Sequence, residues 1–262
     1  VPISFTPINK EGCWYGSTWI VDDEDALAEM IARVALGQSR GVERILKATD
    51  ALPAGYPTGG FAGAKALLTV EEGVDPYHRD GWVFQVISWI AAHRQDADAL
   101  IRAPQMIKAD KGLDGLIVEF DDDDVARVVI CEEKATEHAR QKIKGAVWPE
   151  FAEFETGARD NELVATVAAL LERSGDPELD KTVADILWSD KRSFRVAVTV
   201  GGAYATAKGR KRLFKGYEDV VSGGVDRRRA ETLPLDDIRL WIASIAEKSA
   251  AIVSEAEGLA DV

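Results

Sequence analysis

The chain is predicted to be an α/β protein, a mixed central sheet flanked by helices, and three features of the sequence predict it. LIVEF (116–120), VARVVIC (125–131) and SFRVAVTV (193–200) are rich in Val and Ile and read as strands. GWVFQVISWIAAHR (81–94) is apolar almost all round, as a helix buried against a sheet should be. Two further stretches, one opening near residue 22 and one closing the chain from residue 233, repeat apolar residues at helical spacing. The 262 residues suffice for one large domain or two small ones.

The elements follow in order. STWIVDDEDALAEMIARVALGQSRG (17–41) holds a helix. Asp22 or Asp23 caps it, Ala26, Leu27, Met30, Ile31 and Val34 form its apolar stripe, and Gly37 or Gly41 ends it. Residues 52–81 are loop-rich, punctuated by Gly and Pro. Their GGFAGAK is no phosphate loop, because the G-x-x-x-x-G-K-[ST] spacing fails and no apolar strand leads into it. The buried helix at 81–94 contains one long polar residue, Gln85. GLDGLIVEFDDDDVARVVICEEKA (112–135) reads as a hairpin. TEHARQKIKGAVWPEFAEF (136–154) is a helix broken near Pro149, and NELVATVAALLERSG (161–175) a helix capped by Asn161. After the strand at 193–200, GRKRLFKG (209–216) and GGVDRRRAE (223–231) read as basic loops. The final helix has Pro234 before it and Asp236 or Asp237 near its cap. The expected organisation is an N-terminal helical and loop region, 1–75, packed on a principal domain, 76–262.

The net charge of −13 weighs against a chain that grips nucleic acid alone, because phosphate binders are generally basic. The charge is uneven. Residues 191–229 hold eleven Lys or Arg against three acids, a local +8 on an acidic remainder of −21. Within them Lys208, Arg210, Lys211, Arg212 and Lys215 are the best candidates for phosphate contact; a solvated basic loop is the equal alternative. No apolar run approaches the roughly 18 residues of a membrane span. VPISFTPINKEG lacks the basic start and apolar stretch of a secretory signal. Cys13 and Cys131 form neither a disulfide framework nor a zinc spacing, so a reducing cytoplasm is the expected location, with Cys131 a core residue.

The hairpin carries the chemistry. If its turn is Asp122–Asp124, paired residue numbers sum to 246 and Asp114 lies across from Glu132, with Cβ atoms about 5 Å apart. Lys134 is two residues further on and shares the face of Glu132. Two opposed carboxylates need an offset, and Lys134 or a divalent cation supplies it. Hard oxygen ligands beside an ammonium suit Mg²⁺, with Mn²⁺ as its substitute. Such a site would activate a water and polarise a phosphoryl oxygen, Lys134 orienting or helping to deprotonate that water.

GLDG…ICEEK resembles the core motif of the PD-(D/E)XK nuclease superfamily over roughly residues 78–155. The resemblance implies a restriction-endonuclease-like core, with Asp114, Glu132 and Lys134 catalytic and the two acids as metal ligands. Many members place a Glu in the preceding helix; here Gln85 stands there, and its neutral amide leaves open whether one metal or two would bind. A polar or basic residue of the following helix often faces the site, and Gln141 and Lys142 are both available. The whole chain, with its closing LPLDDIRLWIASI, is also similar to the HamA-type effectors of the bacterial Hachiman defence system. That similarity implies cleavage or nicking of DNA in antiphage defence and a helicase-like protein partner. The alternative is a catalytically inactive protein of nuclease fold that serves as an interaction or regulatory subunit, an acidic DNA mimic included; Gln85 and the negative charge favour it.

Other candidates weigh less. Asp121–Asp124 could take Ca²⁺ but reads better as a solvated turn at the far end of the strands. Glu133 replaces Glu132 if the register slips by one. His78, His93 and His138 have no H-x-x-x-H spacing, though His138 could approach the site and Asp80 could add a ligand. An edge hairpin whose charges merely prevent aggregation is the bland reading; LIVEF and VARVVIC are too apolar for it. Trp82, Trp89, Trp188 and Trp241 are expected in the core, while Trp14, Tyr15 and Trp19 are left between burial and base stacking.

Overall fold

The computed structural model describes residues 2–47, 55–108, 112–122, 124–172 and 191–260. The chain opens with a hairpin, β1 (Ile3–Lys10) and β2 (Trp14–Val21), followed by α1 (Glu24–Ala35), α2 (Ser39–Leu46), α3 (Phe61–Leu68) and α4 (Tyr77–Gln95). Next come β3 (Leu100–Ile101), β4 (Gly115–Asp121), β5 (Asp124–Lys134), α5 (Ala139–Lys142), a π-helical turn (Ile143–Val147), α6 (Trp148–Glu155) and α7 (Asp160–Leu171). The last part holds β6 (Arg192–Val200), α8 (Ala207–Leu213), α9 (Tyr217–Val220), β7 (Arg228–Pro234) and α10 (Ile238–Ala260).

The strands form one mixed seven-stranded sheet in the order β1-β2-β7-β6-β5-β4-β3. The middle four, β2, β7, β6 and β5, are parallel, and β1, β4 and β3 run antiparallel to their neighbours. Period-two alternation divides the core. Val129, Cys131 and Ala197 face the helices α1, α3, α4 and α10, while Val128, Ile130, Val196 and Val198 face α5–α9. Cys131 is therefore the core residue expected.

Several elements differ from expectation. The N-terminal region also contributes β1 and β2 to the same sheet, and STWIV, which precedes the expected helix cap, is the end of β2. β2 reaches β7 only because residue 16 is glycine: a Cβ there would stand 2.0 Å from the Ala230 carbonyl oxygen. Trp14 and Trp19 are buried, which removes them as base-stacking platforms. Asp23 caps α1 as expected, its carboxylate accepting from the amides of Asp25 and Ala26. Asn161 does not cap α7; it lies inside that helix, and Arg159 stands at the cap position. The break near Pro149 is the π turn. Proline has no N–H and its ring crowds the carbonyl four residues back, so the helix widens for one turn before α6 starts.

The two basic loops are correct only in part. GRKRLFKG is largely α8, capped by Thr206, and the run Arg228–Pro234 is a strand next to the centre of the sheet. Its charges obscured the strand pattern, yet they are paired: Arg195 and Glu231, both nearly fully buried, meet at 2.6 Å. Trp82 and Trp89 are core residues and Trp241 is half-buried; Trp188 lies outside the described residues.

His93, on α4, is buried edge-on to Trp89 with no hydrogen-bond partner on either ring nitrogen. Burial pushes its pKa down to about 4, with Glu43 as the nearest opposing influence. A histidine depressed on folding binds its proton more readily when unfolded, so stability is full above about pH 6.5 and is lost as pH falls towards 4. The expected loss is roughly 3 kcal/mol. In denaturant melts across that window, His93→Leu should flatten the acid limb; an unaltered limb would show that another group controls it.

Candidate active site

Asp114, Glu132 and Lys134 come together at one end of the sheet, where the parallel strands end and β4 begins. Open α/β sheets bind ligands at this carboxyl edge. The expected register holds, although the expected turn does not. Asp121 pairs with Asp124, so two residues rather than three separate the strands, and a bulge at Ala126 restores the count. Beyond the bulge Glu119 pairs with Arg127 and Gly115 with Cys131, in the register that sets Asp114 opposite Glu132. The acids of the turn lie at the far end of the strands, as expected.

The Lys134 Nζ bridges the two acids, 2.6 Å from Asp114 Oδ2 and 2.6 Å from Glu132 Oε2. The carboxylate oxygens that touch it are thus at most twice that distance apart. Asp114 is held from several sides. Its carbonyl accepts from Gln85 Nε2, its carboxylate accepts from the Glu133 amide at 3.2 Å, and the preceding Leu113 amide donates to Glu162 at 3.0 Å. Gln85 therefore positions the backbone of Asp114, the role its neutral amide suits. β5 is clamped by β6, with Glu132 opposite Val196 and Lys134 opposite Val198, and the turn beyond it is tied by the Thr136 amide donating to Thr199 Oγ1 at 2.8 Å.

The electrostatics are asymmetric. The Glu132 side chain is 1% exposed, and Lys134 is its charged partner. Burial first, then the charge of Asp114, push its carboxyl well above the ordinary range. For Lys134 burial works against the charge, but Glu132 and Asp114 outweigh it and hold the amine protonated. With both acids beside it, the lysine is a hydrogen-bond donor and cation.

Glu133 points to the other face of the sheet, bonded by Ser88 Oγ at 3.1 Å and 3.5 Å from Arg195 Nη1. Burial, then Asp114, raise its pKa to about 7. Glycine at 115 gives Glu133 its room, since a Cβ would stand 3.1 Å from Glu133 Oε1. Cys131, whose thiol burial pushes up, is inert beside it.

A cleft of about 460 Å³ opens over the cluster, lined by Asp114, Glu133, Lys134 and Gln85 together with His138, Lys142 and Arg239. Of the two candidates on the following helix, Lys142 lines the cleft and Gln141 does not. His138, exposed at the N-cap position of α5, also borders the cleft. Asp80 does not act as a free ligand; it is fully buried between Arg79 and Arg239. Arg239 itself escaped the sequence reading, its only trace being its place next to the acidic cap of the last helix.

The basic segment resolves into two populations. Arg192, Arg195, Arg227 and Arg229 pair with Asp160, Glu231, Glu155 and Glu119, and hold the sheet and its helices together. Of the five phosphate candidates, Arg210 turns inward to the Ala205 carbonyl, while Lys208, Lys211, Arg212 and Lys215 are exposed on and just beyond α8. Arg140 Nη1 donates to the Leu213 carbonyl at 2.8 Å, which fastens this helix to α5, the helix that carries Lys142.

The residues present fit a hard divalent cation. Two carboxylates are available, Asp114 and the buried Glu132, and among the described residues no group of three or more His, Cys, Asp or Glu forms a metal-holding set. Two protein oxygens with the rest supplied by water or substrate is the usual arrangement for Mg²⁺, whereas zinc takes three or four N or S ligands. Comparison with family models, with curated proteins and with solved structures finds no match to this chain. Among the described residues no helix is long and apolar enough to cross a membrane.

Proposed function

We propose that this chain is a Mg²⁺-dependent phosphodiesterase, a DNA endonuclease or nickase with a restriction-endonuclease-like core. The observation that carries the reading is the convergence of Asp114, Glu132 and Lys134, with Asp114 and Lys134 lining a cleft and Glu132 buried behind them. Asp114 and Glu132 would hold the cation. The cation, when bound, supplies a polarised phosphoryl oxygen and a more acidic water. Lys134 would donate to the attacking water or to the oxygen on which charge develops. Lys142 has no ion-pair partner of its own among the described residues and is free to hold a phosphate. The exposed cations of α8 extend that positive surface away from the cleft. A cytoplasmic role in antiphage defence beside a helicase-like partner follows from the sequence resemblance. A body of net charge −13 suits a nuclease whose grip on DNA is completed by another protein.

A second reading has its own support. Gln85 is bound to a backbone carbonyl and brings no charge, which favours an inactive nuclease-fold subunit. Supercoiled plasmid incubated with the pure protein in Mg²⁺ or Mn²⁺ separates the two. Nicked or linear product that EDTA suppresses is expected. Intact plasmid in both metals, in the presence of the helicase-like partner as well, would favour the inactive subunit.

A further inference from the structure

At the edge of the cleft, Asp80 is buried between two guanidinium groups. Its Oδ1 accepts from Arg79 at 2.8 Å and its Oδ2 from Arg239. Asp80 is 0% exposed and Arg79 is nearly buried, so one negative charge is held against two positive ones in a place that water scarcely reaches. The two oxygens are shared between the arginines, so the carboxylate fixes both guanidinium groups. Arg239 is 34% exposed at its side chain and lines the same cleft as Asp114 and Lys134. Two further acids act on it, Asp75, which also lines the cleft, and Glu137, 3.7 Å from Nε and more than half exposed.

We propose that Arg239 is a phosphate-binding residue: oriented by Asp80, it holds a phosphate of the nucleic-acid strand next to the one lying over Asp114, Glu132 and Lys134. This rests on the phosphodiesterase reading and deepens it. A guanidinium fixed by a buried carboxylate has little side-chain freedom left to lose on binding and presents a planar fork suited to phosphate. It also anchors α10 to α4, so the cleft wall and the subsite are one construction.

The test is fluorescence anisotropy of labelled single-stranded and duplex oligonucleotides, in EDTA and across a salt series, with wild type, Arg239→Gln and the control Lys248→Gln. Asp80 keeps Arg79 in Arg239→Gln, and thermal melts check that the fold survives. Lys248 lies on the same helix but pairs with Glu24 and Asp25 away from the cleft. Arg239→Gln should weaken binding of at least one oligonucleotide about fivefold or more and lower the salt slope by about one; Lys248→Gln should bind as wild type does. Equal affinity of Arg239→Gln and wild type overturns the inference, as does an equal loss in the control or no binding by wild type. Weaker binding by Arg239→Gln, in a wild-type protein that never cleaves, leaves the subsite standing and removes the hydrolytic reading instead.

Discussion

Glu132→Gln is expected to abolish metal-dependent cleavage, by about a thousandfold or more, while leaving the fold at least as stable as it is in the wild type. The two effects have one origin. Two acids share one lysine, and Glu132 is the buried member of the cluster. A carboxylate so enclosed is held against its own desolvation cost. Replacement by the amide removes the charge and leaves Lys134 paired with Asp114 at 2.6 Å, a balanced pair. A gain of roughly 1–2 kcal/mol is expected, within the range seen when buried charges are neutralised. Paired cleavage assays and denaturant melts check it. A variant that loses activity only because it unfolds would show that Glu132 is structural. Lys134→Ala should lose activity as fully, for the opposite electrostatic reason: it leaves Asp114 and Glu132 facing each other without a cation.

Arg195→Met is expected to cost about 3–5 kcal/mol, the penalty for a buried charge left without its partner. Arg195 crosses the α4 side of the sheet. It binds Glu231 at 2.6 Å and Ser88 Oγ at 2.9 Å, comes within 3.5 Å of Glu133, and lies over the Trp19 ring. Gln95 and Ser17 also donate to Glu231, at 2.7 and 3.2 Å, but neither neutralises it. Burial opposes the charge on Arg195, and Glu231 nevertheless raises its pKa, the mark of a guanidinium that its acids need. The double variant Arg195→Met/Glu231→Gln should recover much of the loss, and the difference from additivity measures the coupling. A single variant within about 1 kcal/mol of wild type would mean that the network is incidental.

The site was legible in the sequence where the backbone period decides position. Glu132 and Lys134 share a face because they are two apart on a strand, and Asp114 meets them because the hairpin is antiparallel. Even there the agreement has a hidden element: the turn is one residue shorter than expected, and the bulge at Ala126 compensates. No local signal marks such a bulge. β7 was not legible, because RRAETLP carries charges that only tertiary pairing with Glu119 and Arg195 makes compatible with a central strand. The N-terminal strands escaped for a related reason: ISFTPINK is half-exposed and interrupted by Pro7, a residue tolerated there because β1 is the sheet edge. Arg239 could not be found from sequence at all. Its role depends on Asp80, which lies 159 residues away along the chain and was weighed only as a possible extra ligand.

The central claim is that Asp114 and Glu132 share one divalent cation beside Lys134. Anomalous diffraction from crystals of the protein soaked in Mn²⁺ tests it most directly. The account predicts a single strong peak in contact with a carboxylate oxygen of each residue, with the Lys134 amine drawn off its bridging position. Saturating Mn²⁺ that leaves Lys134 bound to both acids, with no peak there or a peak only at the acidic turn of residues 121–124, would contradict it.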